Sequence, residues 1–241
     1  MLDVKYGSGA FMPTKESALE LARKMVDIGT RAGKNIGALI TDMEQPLSDH
    51  VGNSLEVIGI IEVLCGKRNR LYKEIKEVAV RLLQLSGKYD AHSAEEAFCD
   101  VVESGKALHK LAEMVTAQHG DASYILHPEK FPLGKKVEVV SDADGFVDKI
   151  RADDIGRAVT CLGGGRMKKE DKIDFSVGAV MNVELGSKVK RGDVLCTVYH
   201  NGKGLDEAVN LLKNAIHVGD KSPAPHKIAF AYVDKNGVEL Y

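Results

Sequence analysis

Apolar and polar positions alternate from the start of the chain. Leu2, Val4 and Tyr6 fall on one side of an extended segment and Asp3 and Lys5 on the other, the period-two pattern of a strand. Gly7, Ser8 and Gly9 then turn the chain. Thr14 is a residue type that caps a helix through its hydroxyl, and after it Ala18, Leu21, Ala22, Met25, Val26 and Ile28 recur at helical spacing until Gly33 supplies a stop. Ile36 to Ile40 reads as the next strand. Together these segments predict a strand, helix, strand unit of the α/β kind.

Helical periodicity continues over about 53 to 65, 70 to 86 and 93 to 118, with Ser93 and Glu96 at capping-box spacing and Gly105 expected to interrupt the last helix. Between Ser123 and Lys136 the period is lost, and Pro128 and Pro132 punctuate a polar connector. Beyond it, Val137 to Val140, Gly145 to Ile150, Ile173 to Val180 and Val194 to Tyr199 read as short strands, and a helix is expected from Leu205 to about Val218. Ile228 to Val233 and Val238 to Leu240, around Asp234, Lys235, Asn236 and Gly237, read as a hairpin. The expected fold class is α/β: a strand, helix, strand layer with a helical segment over residues 1–127, followed by a smaller β-rich α/β domain over residues 137–241. A parallel strand needs neighbours, so an opening inside one predicts that the first domain lacks its N-terminal portion.

Composition narrows the function classes. The 241 residues are 44% hydrophobic and 28% charged, enough apolar material for a sizeable core. With 33 Lys plus Arg against 35 Asp plus Glu, the formal charge of −2 offers no broad field for nucleic acid or an anionic membrane. Cys65, Cys99, Cys161 and Cys196 form no CxxC pair, so neither zinc spacing nor a disulfide framework is predicted. No apolar run reaches the roughly 18 residues of a membrane span, and Met1, Leu2, Asp3 lacks the basic start of a signal peptide. The default expectation is therefore cytoplasmic.

Three segments offer candidate chemistry. Gly7 to Phe11 follows a strand and precedes a helix, where open α/β sheets bind ligands, but it is neither GxGxxG nor a P-loop, and spacing alone favours a tight turn with Phe11 in the core. Gly163, Gly164, Gly165 and Arg166 could cradle a phosphate, although spacing favours a connecting loop. Lys168, downstream of Asp144 to Val147 and upstream of Val189 to Asp193, invites comparison with a biotinyl or lipoyl carrier, which the charged run Lys168 to Asp171 fits poorly. The eight histidines are scattered without HExxH or comparable ligand spacing, and Ser8 lacks a GxSxG elbow.

The run Leu2 to Thr14 closely resembles the strand and loop that follow the pyrimidine site in thymidine and pyrimidine-nucleoside phosphorylases. The similarity continues through Thr41 to Leu47, Gly52 to Val57, Gly163 to Arg166 and Ile173 to Gly178. This resemblance implies reversible phosphorolysis, in which phosphate as co-substrate displaces a pyrimidine from C1 of ribose or 2-deoxyribose, within a homodimer and without a required cofactor. It implies that Gly9 and Phe11 are substrate-binding, with Phe11 beside the 5-position of the base. The family's Lys, Ser and Thr phosphate loop, its active-site His and its Arg, Ser, Lys base clamp all precede the matching segment, so no catalytic residue is expected in this chain and the chain alone is expected to be inactive. The family also holds a potassium ion through two backbone carbonyls, which map onto Leu47 and His50, and a glutamate, which maps onto Gly59. Glycine supplies no carboxylate, so the cation site is expected to be lost or weakened. The alternatives are a non-catalytic binding remnant and, further off, a carrier domain modified at Lys168.

Overall fold

A computed structural model describes the whole chain, Met1–Tyr241. Its elements run β1 (Leu2–Tyr6), α1 (Lys15–Arg31), β2 (Gly37–Asp42), β3 (His50–Val51), α2 (Asn53–Leu64), α3 (Arg70–Leu85), α4 (Ala91–Glu103) and α5 (Lys106–Ala117). There follow α6 (Ser123–Leu126), β4 (Lys135–Val140), β5 (Gly145–Ile150), α7 (Ala152–Val159), β6 (Gly178–Met181) and β7 (Lys188–Val189). The chain ends with β8 (Val194–His200), α8 (Leu205–Ala215), β9 (Ile216–Gly219), β10 (Ala229–Asp234) and β11 (Gly237–Leu240). The fold is α/β, with a β-rich portion in its second half.

Two compact units divide the chain, and they interleave. The first comprises Met1–Glu44, Val63–Ala107 and Lys227–Tyr241, and the second Gln45–Glu62 and Leu108–His226. Packing therefore does not divide at the connector of residues 127–137, because the final hairpin joins the opening strands: the first sheet has the order β1-β2-β10-β11. Local periodicity carries no record of such a long-range pairing.

In the first unit, β1 and β2 pair in parallel, Leu2 opposite Ala38 through Tyr6 opposite Asp42, and α1 makes the crossover. The helix forms because Thr14 accepts a hydrogen bond from the Ser17 amide while Ser17 bonds back to the Thr14 amide, satisfying two donors that a helix start leaves open. Ala18, Ala22 and Val26 face Val4, Tyr6, Ala38 and Ile40 of the sheet. Each large apolar side chain so buried contributes roughly 1.5–3 kcal/mol relative to exposure. On another cluster of this unit, Leu39, Ala229 and Tyr232 pack with Val78 of α3.

The second unit carries two antiparallel sheets, ordered β3-β6-β8-β4 and β7-β5-β9. Ile155 and Ala158 of α7 and Ala208, Leu212 and Ala215 of α8 share one core with Val139, Val147, Val177 and Val198. Gly178 fixes a close approach of two strands, for a Cβ there would sit 2.2 Å from the Val51 carbonyl oxygen.

Several boundaries differ from the sequence pattern for local reasons. The helix expected from residue 93 starts at Ala91, because Asp90 and not Ser93 is its N-cap, with Ser93 closing the box from inside. Gly105, at φ +75°, does separate α4 from α5. Residues 173–176 are not strand: the Asp174 carboxylate accepts both the amide and the hydroxyl of Ser176, a local alternative to ladder bonding. The helix from Leu205 ends at Ala215, and Ile216 to Gly219 pairs with β5. The connector contains the short helix α6 and a 3₁₀ turn at Pro128–Lys130. No helix is long and apolar enough to cross a membrane.

Candidate functional site

The loop after β1 is built around a glycine that nothing else could replace. Gly7 has φ +112°, and a Cβ there would lie 2.7 Å from the Glu44 amide nitrogen and 2.9 Å from the Met43 carbonyl carbon. Backbone bonds tie the loop to the turn after β2: the Met43 amide donates to Tyr6 O at 2.7 Å and the Gly9 amide to Met43 O at 3.0 Å. Within the loop, the Gly7 amide donates to Met12 O and the Ala10 amide to Gly7 O, both at 3.0 Å. The Ser8 amide reaches Glu44 Oε2 at 3.3 Å, and the Ser8 hydroxyl donates to the Glu44 carbonyl at 3.1 Å.

The consequence is the presentation of Phe11. Spacing favoured a core position, yet its side chain is 102% exposed while the backbone beside it is tied down. Gly9 is exposed as well. A flat apolar ring on a constrained loop at the carboxyl end of a parallel strand offers a contact surface for a planar ligand.

Below the loop lies a group of charges that periodicity did not reveal. Asp42 is fully buried, and Arg70 donates through one nitrogen to its Oδ2 at 2.8 Å and to its carbonyl at 2.9 Å. Glu74, one helical turn beyond Arg70, is 2% exposed and bonds the ammonium of Lys5, which also lies 2.8 Å from Asp3 Oδ2. Burial raises the Glu74 carboxyl above the usual carboxylate range, with Lys5 pulling the other way. Burial likewise pushes the Tyr6 phenol up to about 12, with the Asp42 charge adding to the effect. Arg70 Nε and Glu74 Oε2 are buried without a hydrogen-bond partner. The one legible signal was the spacing of Arg70 and Glu74, four residues apart in an otherwise amphipathic helix.

The other candidates stay structural. Gly164 packs against Val159 and Gly165 against Thr160, where a Cβ would come within 2.7 and 2.8 Å, so these glycines answer to packing. Gly164 O accepts the Asn53 side-chain amide, and Gly163 O accepts the Asp174 amide. Lys168 lies in a turn capped by Asp171 and not between paired strands, unlike a carrier lysine in its tight hairpin. The four cysteines are free, and burial pushes the Cys196 thiol up to about 12, far from a reactive thiolate.

Leu47, His50 and Gly59 can be compared with the ligand set that the resemblance implied. His50 Nδ1 lies 3.0 Å from Asp49 Oδ1, and its Nε2 lies 4.0 Å from Glu62 Oε2. A Cβ on Gly59 would come 3.0 Å from Ser48 Oγ and 3.2 Å from the His50 side chain, so position 59 is packed closely against the turn and does not fit a carboxylate ligand without displacement of its neighbours. No cluster of three or more His, Cys, Asp or Glu is arranged to hold a metal.

Residues 146–219, within the second unit, match the family described as "Pyrimidine nucleoside phosphorylase C-terminal domain". Over 236 residues, 95% of this chain and 54% of the relative, the sequence is 39% identical to the pyrimidine-nucleoside phosphorylase of Staphylococcus aureus strain bovine RF122 / ET3-1. The same figures hold for the proteins of that name from strains USA300 and NCTC 8325 / PS 47. Along nearly its whole length the chain is similar to pyrimidine-nucleoside phosphorylases, and it spans about half the length of the curated relatives it matches.

Proposed function

We propose that the chain serves the reversible phosphorolysis of pyrimidine nucleosides, contributing the base-side wall formed by Gly9 and Phe11. In that reaction a phosphate oxygen forms the new bond to C1 of the pentose as the bond from C1 to the base nitrogen breaks, and the leaving base takes the electron pair. Stabilising that charge needs a polar clamp, and holding the two reactants in line can supply on the order of 7–11 kcal/mol. The observation that carries the reading is Phe11: an exposed ring on a clamped loop, within a chain 39% identical to named pyrimidine-nucleoside phosphorylases. Apolar contact there favours a pyrimidine ring and excludes water. The phosphate cradle and the base clamp lie, on this reading, in the half of the family's length that precedes the match.

Phosphate-dependent release of uracil from uridine and thymine from thymidine tests it. The 241-residue chain by itself should match a buffer blank, and the chain fused to the preceding half of a staphylococcal relative should release base. No release by the fusion, or a preference for purine nucleosides, overturns the reading; turnover by the chain alone shows that the catalytic residues lie within it. The reading includes a homodimer, a cytoplasmic location and no required cofactor. A potassium ion held by the Leu47 and His50 carbonyls without a carboxylate would bind weakly, so strong potassium activation of the fusion would show that another group replaces the one Gly59 lacks.

A further inference from the structure

Glu44 touches the Gly7 to Phe11 loop in more ways than the turn geometry requires. Its carboxylate accepts the Ser8 amide, its carbonyl accepts the Ser8 hydroxyl, and its side chain folds over Gly7 so closely that a Cβ on Gly7 would come 3.1 Å from Glu44 Cδ. Its own amide donates to Asp42 Oδ1 at 3.2 Å, while the other oxygen of Asp42 is held by Arg70. Glu44 thus connects a half-exposed loop to a buried ion pair. The amide contact, at 3.3 Å, is longer than a charge-assisted bond, and it acts together with the 3.1 Å hydroxyl bond, so Glu44 places its restraint three residues before the exposed ring.

We infer that Glu44 is a positioning residue, holding the Gly7 to Phe11 loop in place for contact with the pyrimidine base; the role of the contact rests on the phosphorolysis reading. Glu44 touches no reacting atom and acts through the loop. Without it, the backbone bonds of Gly7, Gly9 and Ala10 remain, so the loop stays connected but samples more conformations, and the ordering cost moves to the binding step.

The test has two arms. In the 241-residue chain without nucleoside, Glu44→Ala is expected to speed hydrogen exchange of the Ser8 and Gly9 amides at least ten-fold, leaving those of β2 and β10 unchanged, and Glu44→Gln, which keeps an acceptor oxygen, is expected to restore most of the protection. In the fusion enzyme, Glu44→Ala is expected to raise KM for uridine several-fold with kcat nearly unchanged. Unaltered exchange in Glu44→Ala overturns the positioning role whatever the enzyme does. Faster exchange with an unaltered KM overturns its service to base binding. A wild-type fusion without turnover would refute phosphorolysis and leave the exchange arm to decide the clamp.

Discussion

The two units use their interiors differently. Beneath the loop that carries Phe11, the first unit buries Asp42 and Glu74 with Arg70 and Lys5, and leaves two polar atoms unsatisfied. In the second, the large core that joins Val139, Ile155, Leu162, Val198 and Leu212 is apolar throughout. Buried charge costs several kcal/mol per ion in desolvation and is a poor route to stability. The two buried carboxylates, Asp42 and Glu74, both belong to the unit that carries this loop, which points to the loop as the place where position matters more than packing.

The sharpest way to break this contrast is to remove one member of the buried pair. Arg70→Met leaves the Asp42 carboxylate buried without its guanidinium partner, and a loss of about 3–5 kcal/mol in urea unfolding is expected; a loss below about 1 kcal/mol would mean that the pair is readily hydrated. In the second unit, Leu212→Ala should cost about 2–5 kcal/mol through lost burial and a residual cavity, with no change in exchange at Ser8 and Gly9. Coupling between that core change and the loop would erase the distinction.

A smaller effect separates burial from attraction at Glu74. Its folded-state pKa is raised above an unfolded value near about 4.3, so its contribution to stability is full below that value and is lost as pH rises through the folded-state value. Glu74→Gln does not titrate. The stability of the wild type minus that of Glu74→Gln should therefore shrink as pH rises above about 4 in urea melts. A difference that grows with pH would show that Lys5 outweighs the desolvation. The smallest change is expected at Phe11: Phe11→Ala should alter stability by less than about 0.5 kcal/mol, against about 3–5 kcal/mol for a buried phenylalanine, while weakening uridine binding by the fusion enzyme in calorimetric titration.

What the sequence showed in advance was mainly what is local. β1, the Thr14 cap of α1, the break at Gly105 and the final hairpin depend on neighbours a few residues apart, and each was legible. The helix α7 was not, because Asp153 and Asp154 in its first turn disguise the apolar stripe of Ile155, Ala158 and Val159. The strand β9 was absorbed into the preceding helix because Ile216 and Val218 fit either period until pairing with β5 decides. The site was half legible. Gly9 and Phe11 stood out by resemblance, but Arg70 meets Asp42 across 28 residues and Lys5 meets Glu74 across 69, distances that no pattern window reaches.

The full exposure of Phe11 has a spectroscopic consequence. The chain contains no tryptophan, so Phe11→Trp would install a single indole at a fully exposed aromatic position. Its emission would report the polarity at the tip of the loop and nothing else. A water-like spectrum that shifts to the blue when a pyrimidine is added would make the loop its own sensor, readable without turnover and without a second protein.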